Sequence, residues 1–140
     1  MAKKMIVALL VFTLSTLALA DTTCKRCGYV KKHTHYPPYS KQLQDVIKVA
    51  SEKTKISLSK NDIEIINKII KRENAQGNLR ARNGTCYGLG QGKPATYKGA
   101  GVPYNTVCPV EQVIMIIKYV KGRDKTFDKA WNHHLKRRWY

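Results

Sequence analysis

The chain has 140 residues, 43% of them hydrophobic and 25% charged, which suits one domain with a modest core and excludes a large multidomain enzyme or a low-complexity fibre. Lysine and arginine number 26 against 9 acidic residues, a net charge of +17. A field of that sign attracts polyanions, or simply keeps a small domain soluble.

Lys3 and Lys4 give a basic start, residues 5–20 form an uncharged apolar run, and Ala18-Leu19-Ala20 places small residues at a cleavage point before Asp21. Residues 1–20 are therefore expected to be a secretory signal, and the protein secreted or periplasmic. A membrane anchor is the other reading, but the run is shorter than the roughly 20 residues of a spanning helix, so membrane contact is expected only through this segment. The remaining residues carry 24 basic and 9 acidic side chains, net +15. Outside the cytoplasm such a charge meets anionic cell-wall polymers more often than nucleic acid, and no nucleic-acid partner is expected.

Residues 21–39 hold Cys24, Cys27, two histidines and Pro37-Pro38 without a sustained period, and are expected to form an irregular, stapled arm. An oxidising compartment makes two disulfides the natural use of Cys24, Cys27, Cys86 and Cys108, with three pairings open. Cys86 with Cys108 is favoured, because it would close a Gly-rich loop and contribute on the order of 3 kcal/mol to a small domain, leaving Cys24 with Cys27 in a tight ring. A four-Cys zinc site is the rival, helped by the C-x-x-C half and by His33 and His35; the spacing of Cys86 and Cys108 speaks against it, and no metal is expected. A thioredoxin-like role for Cys24-Lys25-Arg26-Cys27 needs a strand before and a helix after, and neither is visible.

From Ser40, a candidate cap, Leu43, Val46, Ile47 and Ala50 follow helical spacing. Ser59 with Asp62 resembles a capping box, and Ile63, Ile66, Ile69 and Ile70 continue on one face to Glu73. Seven of nine glycines then fall within residues 77–101, a stretch that must turn often and has room for a short hairpin. Pro109 opens a third helix with Val110, Val113, Ile114, Ile117 and Val120 as its stripe and Gly122 as its stop. Thr126 is expected to cap a last helix through Phe127, Trp131, Leu135 and Trp139.

Glu73 is the candidate catalytic residue, because the 3.6 period of its helix puts a carboxyl where a hydrophobe is expected. Burial there favours the protonated form, as general-acid attack on a glycosidic bond requires. The blander reading pairs it with Lys71 or Arg72. The stretch Tyr87-Gly88-Leu89-Gly90-Gln91 can fold back over the carboxyl and make a cleft with a single acid. A two-carboxylate arrangement would need Asp45, Asp124 or Asp128 from elsewhere. Adjacent His133 and His134 point about 100° apart on a helix and read as a surface pair.

Arg72-Glu73-Asn74, followed by Gly88-Leu89-Gly90-Gln91, which ends eighteen residues after the Glu, resembles the lysozyme-like soluble lytic transglycosylase domain. Gln112, Tyr119-Val120, Ala130-Trp131 and terminal Trp139-Tyr140 are similar to the end of short lysozyme-like domains of phage and bacterial wall-cleaving proteins. The resemblance covers residues 60 to 140 and implies an α+β, mainly α, lysozyme-like fold over residues 40–140, with a turn-rich or hairpin segment beside the cleft. It also implies that Glu73 protonates the oxygen between N-acetylmuramic acid and N-acetylglucosamine, then acts as base while the muramic 6-hydroxyl attacks its own anomeric carbon. A 1,6-anhydro sugar results. Asn74, Tyr87, Gly88, Leu89, Gly90 and Gln91 would line the substrate cleft, and Tyr119 would face the acid. Asn74 stands where the family has Ser; its amide can still hydrogen-bond a carboxylate or a sugar.

The expectation is thus an exported, cofactor-free, monomeric glycosidase acting on peptidoglycan. Hydrolysis by water at the same Glu73, a non-catalytic cationic wall-binding accessory, and a zinc-stabilised nucleic-acid binder are the alternatives.

Overall fold

The computed structural model describes residues 22–137, and the expected signal segment and the terminal Trp139 and Tyr140 lie outside them. Among the described residues, five helices and two two-stranded pairs appear in the order β1 (Thr22–Thr23), β2 (Val30–Lys31), α1 (Lys41–Thr54), α2 (Lys60–Glu73), β3 (Arg82–Asn83), β4 (Cys86–Tyr87), α3 (Pro94–Gly99), α4 (Pro109–Arg123) and α5 (Phe127–Arg137). The architecture is mainly helical with a small antiparallel hairpin.

Each long helix starts where its cap chemistry places it. Ser40 Oγ accepts from Leu43 N at 3.2 Å, and Ser59 and Asp62 bond each other's backbone N–H at 3.0 Å, so orphan amides at both N-termini are satisfied. Lys129 N donates to Thr126 Oγ1 at the start of α5. Cys108 precedes α4, where Pro109 needs no hydrogen-bond acceptor.

The core forms around α4. Val110 through Ile117 are all buried, so the first two turns of this helix are enclosed on every side rather than amphipathic. Leu43, Val46, Ile47 and Ala50 of α1 pack on it, α3 packs on its flank, and α5 joins α4 to α2. A reciprocal amide pair locks α1 to α2. Gln44 Nε2 donates to Asn67 Oδ1 at 3.0 Å and Asn67 Nδ2 returns a bond to Gln44 Oε1 at 3.1 Å, while Tyr39 N also donates to the Asn67 oxygen. Asn67 is buried but satisfied, which is what makes a polar side chain tolerable there.

Three sequence expectations are corrected. Gly122 lies within the last turn of α4, which ends at Arg123 with Asp124 as its cap. The inward stripe of α5 is Phe127, Ala130 and His134; its centre lies on the 130 and 134 side of Phe127, and each fourth residue from 127 drifts about 40° away from it, leaving Trp131 half-buried and Leu135 exposed. The arm is not merely irregular. Its β1 and β2 pair as Thr22 with Lys31 and Thr23 with Val30, and further on it seats against the main body. Tyr36 N donates to Gly77 O at 2.7 Å, Leu79 N donates to Thr34 O at 3.2 Å, and the Tyr36 side chain is fully buried. A Cβ at Gly77 (φ +65) would lie 2.2 Å from the Tyr36 carbonyl, so only glycine allows this approach.

Candidate functional site

Glu73 is the last residue of α2 and follows the buried Ile66, Ile69 and Ile70 on the same face. Its side chain is 22% exposed. Burial raises its pKa above the ordinary carboxylate value, an effect that the nearby Arg72 guanidinium only partly opposes. The carboxyl therefore holds its proton to higher pH than a surface glutamate does.

The histidine beside it was not legible in the sequence. His134 of α5 is buried, with Nδ1 3.7 Å from Glu73 Oε1, which corrects the reading of His133 and His134 as a surface pair. Burial, with Arg72, Arg123 and His133 adding repulsion, pushes its pKa down to about 4. His134 is thus neutral near neutral pH and brings no positive charge that would favour the carboxylate form of Glu73. Trp131 stacks on the imidazole at 5.5 Å between ring centroids and 16° between planes. Lys68 and Arg72 of α2 lie over that indole, so Trp131 roofs the α2–α5 seam.

Asn74 caps α2 and ties it to the glycine-rich segment. Its amide nitrogen donates to Asn78 O at 2.8 Å and Gly88 O at 3.1 Å, and its oxygen accepts from Asn78 N at 3.2 Å. One side chain thereby holds together the acid's helix, the exit turn and the Gly88-Leu89-Gly90-Gln91 turn. Gln112 of α4, fully buried, grips that turn from beneath: Oε1 accepts from Leu89 N, while Nε2 donates to Leu79 O and Thr106 O, each at 2.8 Å. Only the resemblance had drawn attention to Gln112; a glutamine in the middle of an apolar helix stripe was the signal for such a clamp.

The remaining candidates divide by burial. Tyr87, Gly88, Leu89 and Gly90 are buried, so the Tyr87 and Leu89 side chains belong to the core, which corrects their expected place on the cleft wall. The Tyr97 hydroxyl donates to Tyr87 O at 2.7 Å, and Arg82 lies 4.8 Å over the Tyr87 ring. Gln91, in left-handed backbone at φ +49, reaches the surface in part, and its Nε2 donates to Ala81 O and Gly88 O. Tyr119 accepts from Arg123 Nη1 at 2.8 Å and, with Arg123, Lys118, Thr96 and Ala100, lines a groove of about 420 Å³.

The other carboxylates are placed elsewhere. Asp128 accepts from Asn61, twelve residues before Glu73 on α2 and so about 18 Å away along the helix. Asp124 is held by Arg123 and lies 3.6 Å from His133, and Asp45 is exposed on α1. Glu111 is buried; Arg26 donates to both of its oxygens, at 2.6 and 2.8 Å, and Thr106 donates to Oε1.

Cys108 meets Cys27, not Cys86: the two sulfurs are 3.3 Å apart, and Cys24 completes a group of three within 4.8 Å. Cys86 sits on β4 opposite Asn83, outside that group, and no two of the four sulfurs lie at bonding distance. The exposed His33 and His35 do not join the sulfurs; His33 meets the Tyr36 ring edge and His35 bonds Thr34.

No protein-family model matches the chain, and neither a curated protein nor a solved structure matches it.

Proposed function

We propose that the protein is a lysozyme-like lytic transglycosylase that cuts peptidoglycan strands between N-acetylmuramic acid and N-acetylglucosamine, with Glu73 as its single acid. The observation that carries this reading is the setting of Glu73: a carboxyl at the end of an apolar helix face, its pKa raised by burial, joined through Asn74 to the turn at Gly88. A protonated carboxyl donates its proton to the glycosidic oxygen as the bond breaks. The resulting carboxylate then accepts the proton of the muramic 6-hydroxyl, whose oxygen closes on the anomeric carbon. A neutral His134 at 3.7 Å suits both halves, since it neither deprotonates the acid beforehand nor neutralises the base afterwards.

The basic surface supports attraction to anionic wall polymers, and the sequence of residues 1–20 supports export. Among the described residues no helix is long and apolar enough to cross a membrane.

Mass spectrometry of fragments released from purified sacculi tests the reading. Anhydro ends, lighter than reducing ends by one water, are expected from the wild type and absent with Glu73→Gln. Reducing ends alone would replace transglycosylation by hydrolysis. Binding without release by both proteins would leave a wall-binding accessory and end the catalytic reading.

A further inference from the structure

Three thiols from two distant segments meet where the arm joins α4. Cys24 and Cys27 flank a tight turn closed by Gly28 N–H donating to Cys24 O at 2.8 Å, with Gly28 in left-handed backbone at φ +71. Cys108 is the residue before Pro109. Cys27 and Cys108 sulfurs are 3.3 Å apart and all three lie within 4.8 Å of one another. A tetrahedral centre with metal–sulfur bonds of about 2.3 Å has sulfur–sulfur edges of about 3.8 Å, inside that spread. A disulfide would use two of these thiols and strand the third, with Cys86 outside the group. A cation uses all three.

The surroundings are those of a built site. Cys24 and Cys108 are buried, and Cys27 is half-buried beside them, so the three sulfurs are gathered away from bulk solvent. Cys108 N donates to Thr106 Oγ1 at 3.1 Å, Thr106 donates to Glu111 Oε1, and Arg26, inside the C-x-x-C turn, grips Glu111. That chain fixes both ligand segments against each other. A divalent ion with three thiolates carries a net negative charge, which Lys25 and Lys31 offset at the rim of an adjoining cavity of about 380 Å³.

We propose that Cys24, Cys27 and Cys108 form a zinc site, its fourth position open to water from that cavity. On binding, three S–H bonds give way to three zinc–sulfur bonds and three protons leave to solvent; no oxidant takes part.

The test uses the full chain, reduced with a phosphine, incubated with zinc alone and desalted. One zinc per chain is expected, with iodoacetamide then labelling Cys86 alone and labelling all four cysteines after chelation and unfolding. Cys108→Ser and Cys27→Ser should lose the zinc while Cys86→Ser keeps it. Should a serine variant fail to fold, the labelling pattern of the wild type decides. A reduced chain that retains no zinc, zinc that survives Cys108→Ser, labelling of all four thiols in the loaded protein, or reoxidation of the loaded protein to a Cys27–Cys108 bridge each overturns the proposal.

Discussion

Nδ1 of His134 lies 3.7 Å from Oε1 of Glu73, joining the last helix to the end of the second, and both groups favour their uncharged forms. The two titrations leave opposite signatures. Glu73 has a raised folded pKa, so the folded state binds the extra proton and stability declines as pH rises from 4.5 through that value. Glu73→Gln should abolish release of wall fragments. It should also unfold at higher urea than the wild type at pH 8 and at nearly the same urea at pH 3.

His134 has a depressed folded pKa, so its contribution is intact above 6.5 and is lost as pH falls towards about 4. That shift is on the order of 3 kcal/mol. Urea melts of His134→Leu across this window should show a flatter acid limb than the wild type.

Gly88 stands at φ +80, and a Cβ there would lie 2.6 Å from Gln112 Oε1 and 2.7 Å from the Tyr97 hydroxyl. Gly88→Ala combines left-handed strain with overpacking and is expected to cost about 2–4 kcal/mol. Gly84 has φ +60 in open space, so Gly84→Ala should cost about 1 kcal/mol. Chemical denaturation of the pair separates crowding from backbone strain.

Asn74→Ser would place a serine where the proposed transglycosylase reading expects one, yet it should harm this protein. A hydroxyl has one proton, and the Asn74 amide donates to both Asn78 O and Gly88 O. Leaving the Gly88 carbonyl without its donor should cost about 1–3 kcal/mol and lower activity as the turn loosens, measured by denaturation and fragment release.

Glu111 is buried, and burial alone would raise its pKa, but Arg26 and Thr106 hold it below the ordinary carboxylate range. Its stabilising contribution is therefore present above pH 4.5 and lost as pH falls through the folded value. Arg26→Met should cost about 1–3 kcal/mol at pH 7, less than for a fully enclosed pair because the arginine side chain is 57% exposed, and Arg26→Met with Glu111→Gln should recover most of it.

The helices were readable because their signals are local: Ser40 and the Ser59–Asp62 box mark starts, and the isoleucine spacing marks the buried face of α2. Glu73 was readable as a break in that spacing. His134 was not, since its burial depends on how α5 lies across α2, which no periodicity within α5 encodes. The same holds for Cys108, whose neighbours are set by the path of the arm rather than by distance along the chain. Tyr87 and Leu89 looked like cleft residues because the glycines around them suggested openness; in the fold those glycines allow close packing on Gln112 and Tyr97 instead.

The seating of Tyr36 on Gly77 and of Arg26 on Glu111, 85 residues later, bears on how the molecule is made. During synthesis the arm is made before its docking partners, since Gly77 follows Tyr36 by 41 residues and Glu111 follows Arg26 by 85. The arm is thus made early and settles late, and until Cys108 has been added the nascent chain carries Cys24 and Cys27 without the third sulfur of their group.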